Sequence, residues 1–123
     1  MKVIYIAYDG TQFDTEAGCY EYEETRLSRN LECFTPMGKL IRPCDEDFDV
    51  NNVVVIHCTD THSVAALLHV FEDEAFVDPM FFHELHEDLS LGVDTWFCWD
   101  ELNEGYDIVD PDQIRFLYKL INR

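Results

Sequence analysis

Basic residues are what this 123-residue chain has least of: 8 Lys and Arg stand against 26 Asp and Glu, a formal charge of −18. Between Pro43 and Ile114 there is no Lys or Arg at all, yet that span holds 19 of the 26 acids. A field of this sign repels a polyanion, so the expectation is no direct contact with nucleic acid. The chain also has no apolar segment near the roughly 20 residues that cross a bilayer. Its start, "MKVIYIAYDG", is interrupted by Asp9 and Gly10 before a signal-peptide core forms, which points to a soluble protein. The five cysteines (Cys19, Cys33, Cys44, Cys58, Cys98) are odd in number and contain no C-x-x-C pair. That pattern argues for reduced thiols in a cytosol rather than a disulfide framework. A Gly-rich phosphate loop, a dinucleotide fingerprint, a nucleophile elbow and the H-E-x-x-H zinc motif are all missing. So are repeats, low-complexity tracts and linkers.

What is present suffices for one core. Hydrophobic residues make up 47% of the chain, with 9 Phe, 6 Tyr and 2 Trp, enough to offset chain entropy despite the charge. The expectation is a single compact α+β domain over residues 1–123, in the order β-α-β-β-β-α-α-β-β-α.

Val3 to Tyr8 reads as a strand of the main sheet closed by the Asp9-Gly10 turn. Asp14 or Thr15 then caps a helix whose stripe is Ala17, Tyr20, Glu24, Leu27 and Leu31. "LECFTPMGKLIRP" reads as a hairpin about Pro36-Met37-Gly38, and "VVVIHC" (Val53 to Cys58) as a central strand buried on both faces. Thr61 is expected to cap a second helix burying Val64, Leu67, Leu68 and Phe71, and Asp78-Pro79 to open a third that ends at Gly92. Val93 to Asp100 and Tyr106 to Val109 form a hairpin. Asp110-Pro111 opens a last helix burying Ile114, Leu117, Leu120 and Ile121. A mainly antiparallel sheet with helices on one face is the simplest packing.

The unbroken acidic span carries the functional reading. Its charge either keeps the protein dissolved, adapts it to high salt, or docks in a basic groove that normally holds nucleic acid. The docking reading nominates Asp45, Glu46, Asp47 and Asp49 in one loop, Glu72, Asp73 and Glu74 at a helix end, and Asp100, Glu101 and Glu104 in the last hairpin. Trp96 and Trp99, three apart on a strand, point to opposite faces. Trp99 joins the acids as a candidate aromatic anchor for a partner.

Histidines supply the competing chemistry. "FFHELHED" puts His83, His86 and Glu87 on neighbouring positions of one helix, a spacing that could hold zinc. Cys58, His62 and His69 form a second conceivable ligand set, and "HCTDTHS" gathers a thiol, hydroxyls, an acid and imidazoles at a strand end. These support the alternative of a metal-binding module or small enzyme. The non-enzymatic reading requires no cofactor.

"YIAYDGTQFDTEAGCYEYE", a strand, D-G-T and F-D-T before a helix, resembles the opening module of small acidic accessory proteins of tailed bacteriophages. "GVDTWFCWDELNEGYDIVDP" is similar to their closing hairpin, and the two stretches cover about a third of the chain. The resemblance implies a phage protein acting in the host bacterial cytoplasm, with no catalytic residues to transfer. It also implies an anti-defence role: an inhibitor of the anti-CRISPR or anti-restriction type that mimics DNA to occupy a host protein's nucleic-acid site. The histidine helix lies outside the resemblance.

Overall fold

The computed structural model describes residues 2–109. The expected last helix and its buried face lie outside the described residues. The rest is an α+β fold on a five-stranded, wholly antiparallel sheet in the order β4-β3-β5-β6-β7. Its strands are β3 (Leu31–Phe34), β4 (Leu40–Ile41), β5 (Val55–Cys58), β6 (Thr95–Asp100) and β7 (Gly105–Ile108). β5 is central, paired with β3 on one side and β6 on the other, as its apolar run predicts.

The first strand departs from expectation. Only β1 (Tyr5–Ile6) is extended, and it pairs with β2 (Gln12–Phe13) in a separate two-stranded ribbon. The Asp9-Gly10 turn is the cause. Gly10 takes φ 91°, Ala7 N–H donates to Thr11 O at 2.8 Å, and Asp9 accepts from Thr11 N–H at 3.0 Å. The chain therefore folds back on itself before it can reach the sheet, leaving Ile4 and Ile6 exposed.

Helix α1 (Glu16–Tyr22) starts where Thr15 accepts from Gly18 N–H. It runs straight into a π-helical turn, Glu23–Leu27, with Ser28 N–H bonded to Glu23 O at 3.0 Å. That extra residue per turn rotates the helix face. Cys19 and Leu27 are buried while Ala17 and Tyr20 face solvent, and Leu31 belongs to β3. The periodic stripe expected through Ala17 and Tyr20 fails because it assumed a uniform 3.6-residue repeat.

Helix α2 (Thr61–Val70) is capped by Asp60, not Thr61: Asp60 accepts from Ser63 N–H, and the Ser63 hydroxyl reaches back to the Asp60 amide. It buries Val64, Leu67 and Leu68 against β3 and β5, with Phe71 just beyond its end. Helix α3 (Pro79–Glu87) starts as expected, with Asp78 capping and Pro79 in its first turn. It ends five residues before Gly92, which lies in a 3-10 turn, Leu89–Gly92. Strand alternation puts Leu31, Cys33, Ile56, Cys58, Phe97 and Tyr106 on the helix side. All six are no more than 3% exposed. Burying aliphatic and aromatic side chains of this size contributes roughly 1.5–3 kcal/mol each before entropy is counted.

The connection from α2 to α3 acts as a further strand segment against β7. Tyr106 N–H donates to Ala75 O at 2.9 Å, and Val77 N–H donates to Tyr106 O at 2.8 Å. Gly105 permits this approach: a Cβ there would stand 3.2 Å from both Ala75 O and Val77 N, backbone atoms that cannot swing aside. Gly105→Ala is therefore expected to lower unfolding free energy by about 1–3 kcal/mol in denaturant titration. An unchanged midpoint would show that the seam is not needed.

Candidate functional site

The register of the sheet gathers part of the nominated acids, but not Asp45 and adjacent Glu46, since Asp45 is bonded to Arg42, whose side chain reaches Arg29 at the other end. Phe34 O accepts from Val54 N–H at 2.9 Å and Val54 O from Trp99 N–H at 2.8 Å, so one end of the sheet is where β5 begins. The β3–β4 turn (residues 35–39), the 3-10 turn entering β5 (Val50–Asn52) and the β6–β7 turn (residues 101–104) all lie there. α2 returns along the sheet to the same end, where its exit residues 72–74 precede the Ala75–Val77 seam on Tyr106.

These acids fall into two groups. Asp45 accepts from Arg42 N–H at 2.8 Å, and Asp49 from Asn51 N–H at 3.0 Å. Asp100 accepts from Leu102 N–H at 3.0 Å and from the Asn103 amide at 2.7 Å. The Asn103 bonds, the largest influence, hold the Asp100 carboxyl below its usual range. Asp47 pairs with Lys39 at 3.3 Å. Asp9, Asp60, Asp78 and Asp88 likewise accept from backbone amides two or three residues on. Aspartate serves here as the turn and cap residue, a local reason for part of the charge.

Glu46, Glu72, Asp73, Glu74, Glu101 and Glu104 differ. None makes a side-chain hydrogen bond or ion pair among the described residues. Five of them come from the two chain segments that meet at the Tyr106 seam. Glu74 is felt from inside: after burial, its charge is the next cause pushing the Tyr106 phenol above its usual range. Met37 (90% exposed) and Leu102 (95% exposed) stand in the two turns at the same end. Trp99 lies on the helix side, partly buried and edge-on to Tyr106 at 5.1 Å. It supports this corner from beneath.

Neither nominated histidine set converges, although His69 and His86 line one cavity. His83 faces Glu87 at 4.0 Å with both side chains exposed, and His86 lies edge-on to Phe82 at 5.5 Å. His69 stacks on Tyr8 at 3.7 Å, His62 is edge-on to Tyr22, and Cys58 is wholly buried on the helix side. Burial pushes the Cys58 thiol far above its usual range, unsuited to a nucleophile or a metal-binding thiolate. Among the described residues, no group of three or more His, Cys, Asp or Glu is placed to hold a metal ion. None of the described helices is long and apolar enough to cross a membrane.

One constellation escaped the sequence reading. On the sheet face opposite α2, His57 Nδ1 lies 2.7 Å from Glu32 Oε1 and its Nε2 lies 3.0 Å from Asp94 Oδ1. The imidazole stacks on Trp96 at 3.9 Å, and Trp96 stacks in turn on Phe34 at 6.3 Å. Trp96 and Trp99 thus do occupy opposite faces. A signal was available: Glu32 is the one acid in "LECF" and His57 the one imidazole in "VVVIHC", polar groups that can bond each other across neighbouring strands. Comparison with protein-family models, with curated proteins and with solved structures gave no match.

The His57 side chain is 13% exposed, Glu32 30% and Asp94 82%, so the Glu32 bond is the better shielded. His57→Phe keeps the ring stack but leaves Glu32 unpaired, with an expected loss of about 1–3 kcal/mol by thermal or chemical melting. Asp94→Asn is expected to cost less than half as much. Equal losses from the two would remove the distinction.

Proposed function

We propose that this chain is a non-enzymatic docking protein that binds the basic, nucleic-acid-binding surface of a partner through the acidic end of its sheet. The observation that carries this reading is the set of five carboxylates (Glu72, Asp73, Glu74, Glu101 and Glu104) without a side-chain partner among the described residues, held at one end beside exposed Met37 and Leu102. Unpaired like charges repel and weaken the folded state, so their concentration is better accounted for by a ligand of opposite sign than by stability. Apolar side chains among them supply the desolvated contacts that charge alone does not. The likeness to phage accessory proteins supplies the setting: a host defence or nucleic-acid-processing protein in the bacterial cytoplasm, occupied by a mimic of DNA.

The turn-forming aspartates separate docking from folding. A variant carrying Glu72→Gln, Asp73→Asn, Glu74→Gln, Glu101→Gln and Glu104→Gln should melt no lower than wild type, because it relieves repulsion and removes no internal bond. Its affinity for a partner captured from host lysate should fall at least roughly 10-fold, with a shallower dependence on salt. A double-stranded oligonucleotide should displace that partner from the wild-type chain. Binding that survives about 0.5 M salt unchanged, where screening is nearly complete beyond a few ångströms, would end this reading. As a control, Asp78→Ala removes the cap of α3 and should cost about 1 kcal/mol of stability without altering affinity.

A further inference from the structure

At the opposite end of the sheet, where β3 begins and β5 ends, the helix side carries a locally basic cleft. A cleft of about 560 Å³ is lined by Thr25, Arg26, Arg29, Asn30, Asp60 and His62. One wall is the π-helical turn and the residues just after it, and the other is the start of α2. Two bonds hold the walls together: Asn30 Nδ2 to Asp60 Oδ2 at 2.9 Å, and Thr59 Oγ1 to Asn30 O at 3.0 Å. Arg42 adds a third guanidinium nearby, its Nε bonded to Arg29 O at 2.8 Å.

We infer that this cleft binds the phosphoryl group of a small phosphorylated molecule, through Arg26 and Arg29 with support from His62. Three observations converge. In a chain with 26 acids, neither Arg26 nor Arg29 forms an ion pair among the described residues, whereas Lys2 and Lys39 both do. Arginine matches phosphate oxygens with paired donors, so two guanidinium groups lining one cleft without an ion pair among the described residues define the ligand's chemistry. The helical wall is widened into a π turn at the stretch that carries Arg26, a distortion common at functional positions. The cleft has the volume of a site for a molecule larger than phosphate alone.

The carboxylate in the cleft is already engaged. Asp60 Oδ1 takes Ser63 N–H at 2.8 Å and Oδ2 takes Asn30. Burial works to raise the Asp60 carboxyl, but these bonds and nearby His62 hold it below its usual range. The acidic end is remote. β5 alone is four residues long, roughly 13 Å, against a screening length of about 8 Å at physiological ionic strength.

The test is an amide NMR titration of the full chain at constant ionic strength with inorganic phosphate, adenosine monophosphate and, as a reference, chloride. Saturable shifts confined to residues 25–30 and 60–63, with roughly millimolar or tighter affinity, are expected for phosphate-bearing ligands and not for chloride. Tighter binding of the nucleotide than of phosphate assigns the cleft to a phosphorylated organic ligand; equal binding assigns it to the free anion. Arg26→Gln with Arg29→Gln should weaken binding at least roughly 10-fold. Glu72→Gln with Glu101→Gln, at the acidic end, should leave it unchanged. The absence of saturation by about 10 mM, or an undiminished response in the double arginine variant, overturns the assignment. None of these outcomes bears on docking by the acidic end.

Discussion

Three hydrogen bonds on Tyr106 hold together the parts of the molecule that matter for its surface. Its amide and carbonyl take the backbone of the α2–α3 connection, and its hydroxyl donates to Val53 O at 2.7 Å from the opposite side of the sheet end. A residue from the last hairpin thus fixes a helix exit some 30 positions earlier and the entry to β5 some 50 positions earlier. The phenol is buried, so each bond is formed where water cannot substitute, and leaving one unmade costs on the order of 1–3 kcal/mol. Without this seam, the acidic segments 72–74 and 101–104 would be separate loops with no fixed spacing.

The negative charge serves two purposes that composition alone merges. Aspartate predominates in turns and caps because its short carboxylate can reach an amide two or three residues on. Asp9, Asp49, Asp60, Asp78, Asp88 and Asp100 are used in this way, and Asp45 takes an amide three residues back. Glutamate is overrepresented among the acids with no internal contact. A chain needing charge only for solubility could scatter all of it, whereas here five carboxylates without a side-chain partner among the described residues meet at one end, and two arginines without an ion pair among them line a cleft at the other.

Much of the fold was legible because its signals are local. The Pro36-Met37-Gly38 turn, with Gly38 at φ 82°, the Asp78-Pro79 start of α3 and the β6–β7 hairpin each follow from a few adjacent residues. The misreadings came from effects that no short window contains. β1 was drawn into the sheet because an apolar run does not reveal that its turn closes on Gln12–Phe13. The stripe through Ala17 and Tyr20 failed at the π turn. The nominated acids could be named from the uninterrupted span, but their gathering depends on strand register. The meeting of Glu32, His57 and Asp94 is a property of two strands and the turn that enters a third, which no short window contains.

The sheet's margins limit how anything can attach to it. β4 is only two residues long and Pro43, without an amide hydrogen, follows two residues later. At β7 the outward amide and carbonyl of Tyr106 are already taken by Ala75 and Val77. Little main chain is left to template an incoming strand, so self-association by edge pairing is blunted, and a visitor must be recognised through side chains instead of by extending the ladder.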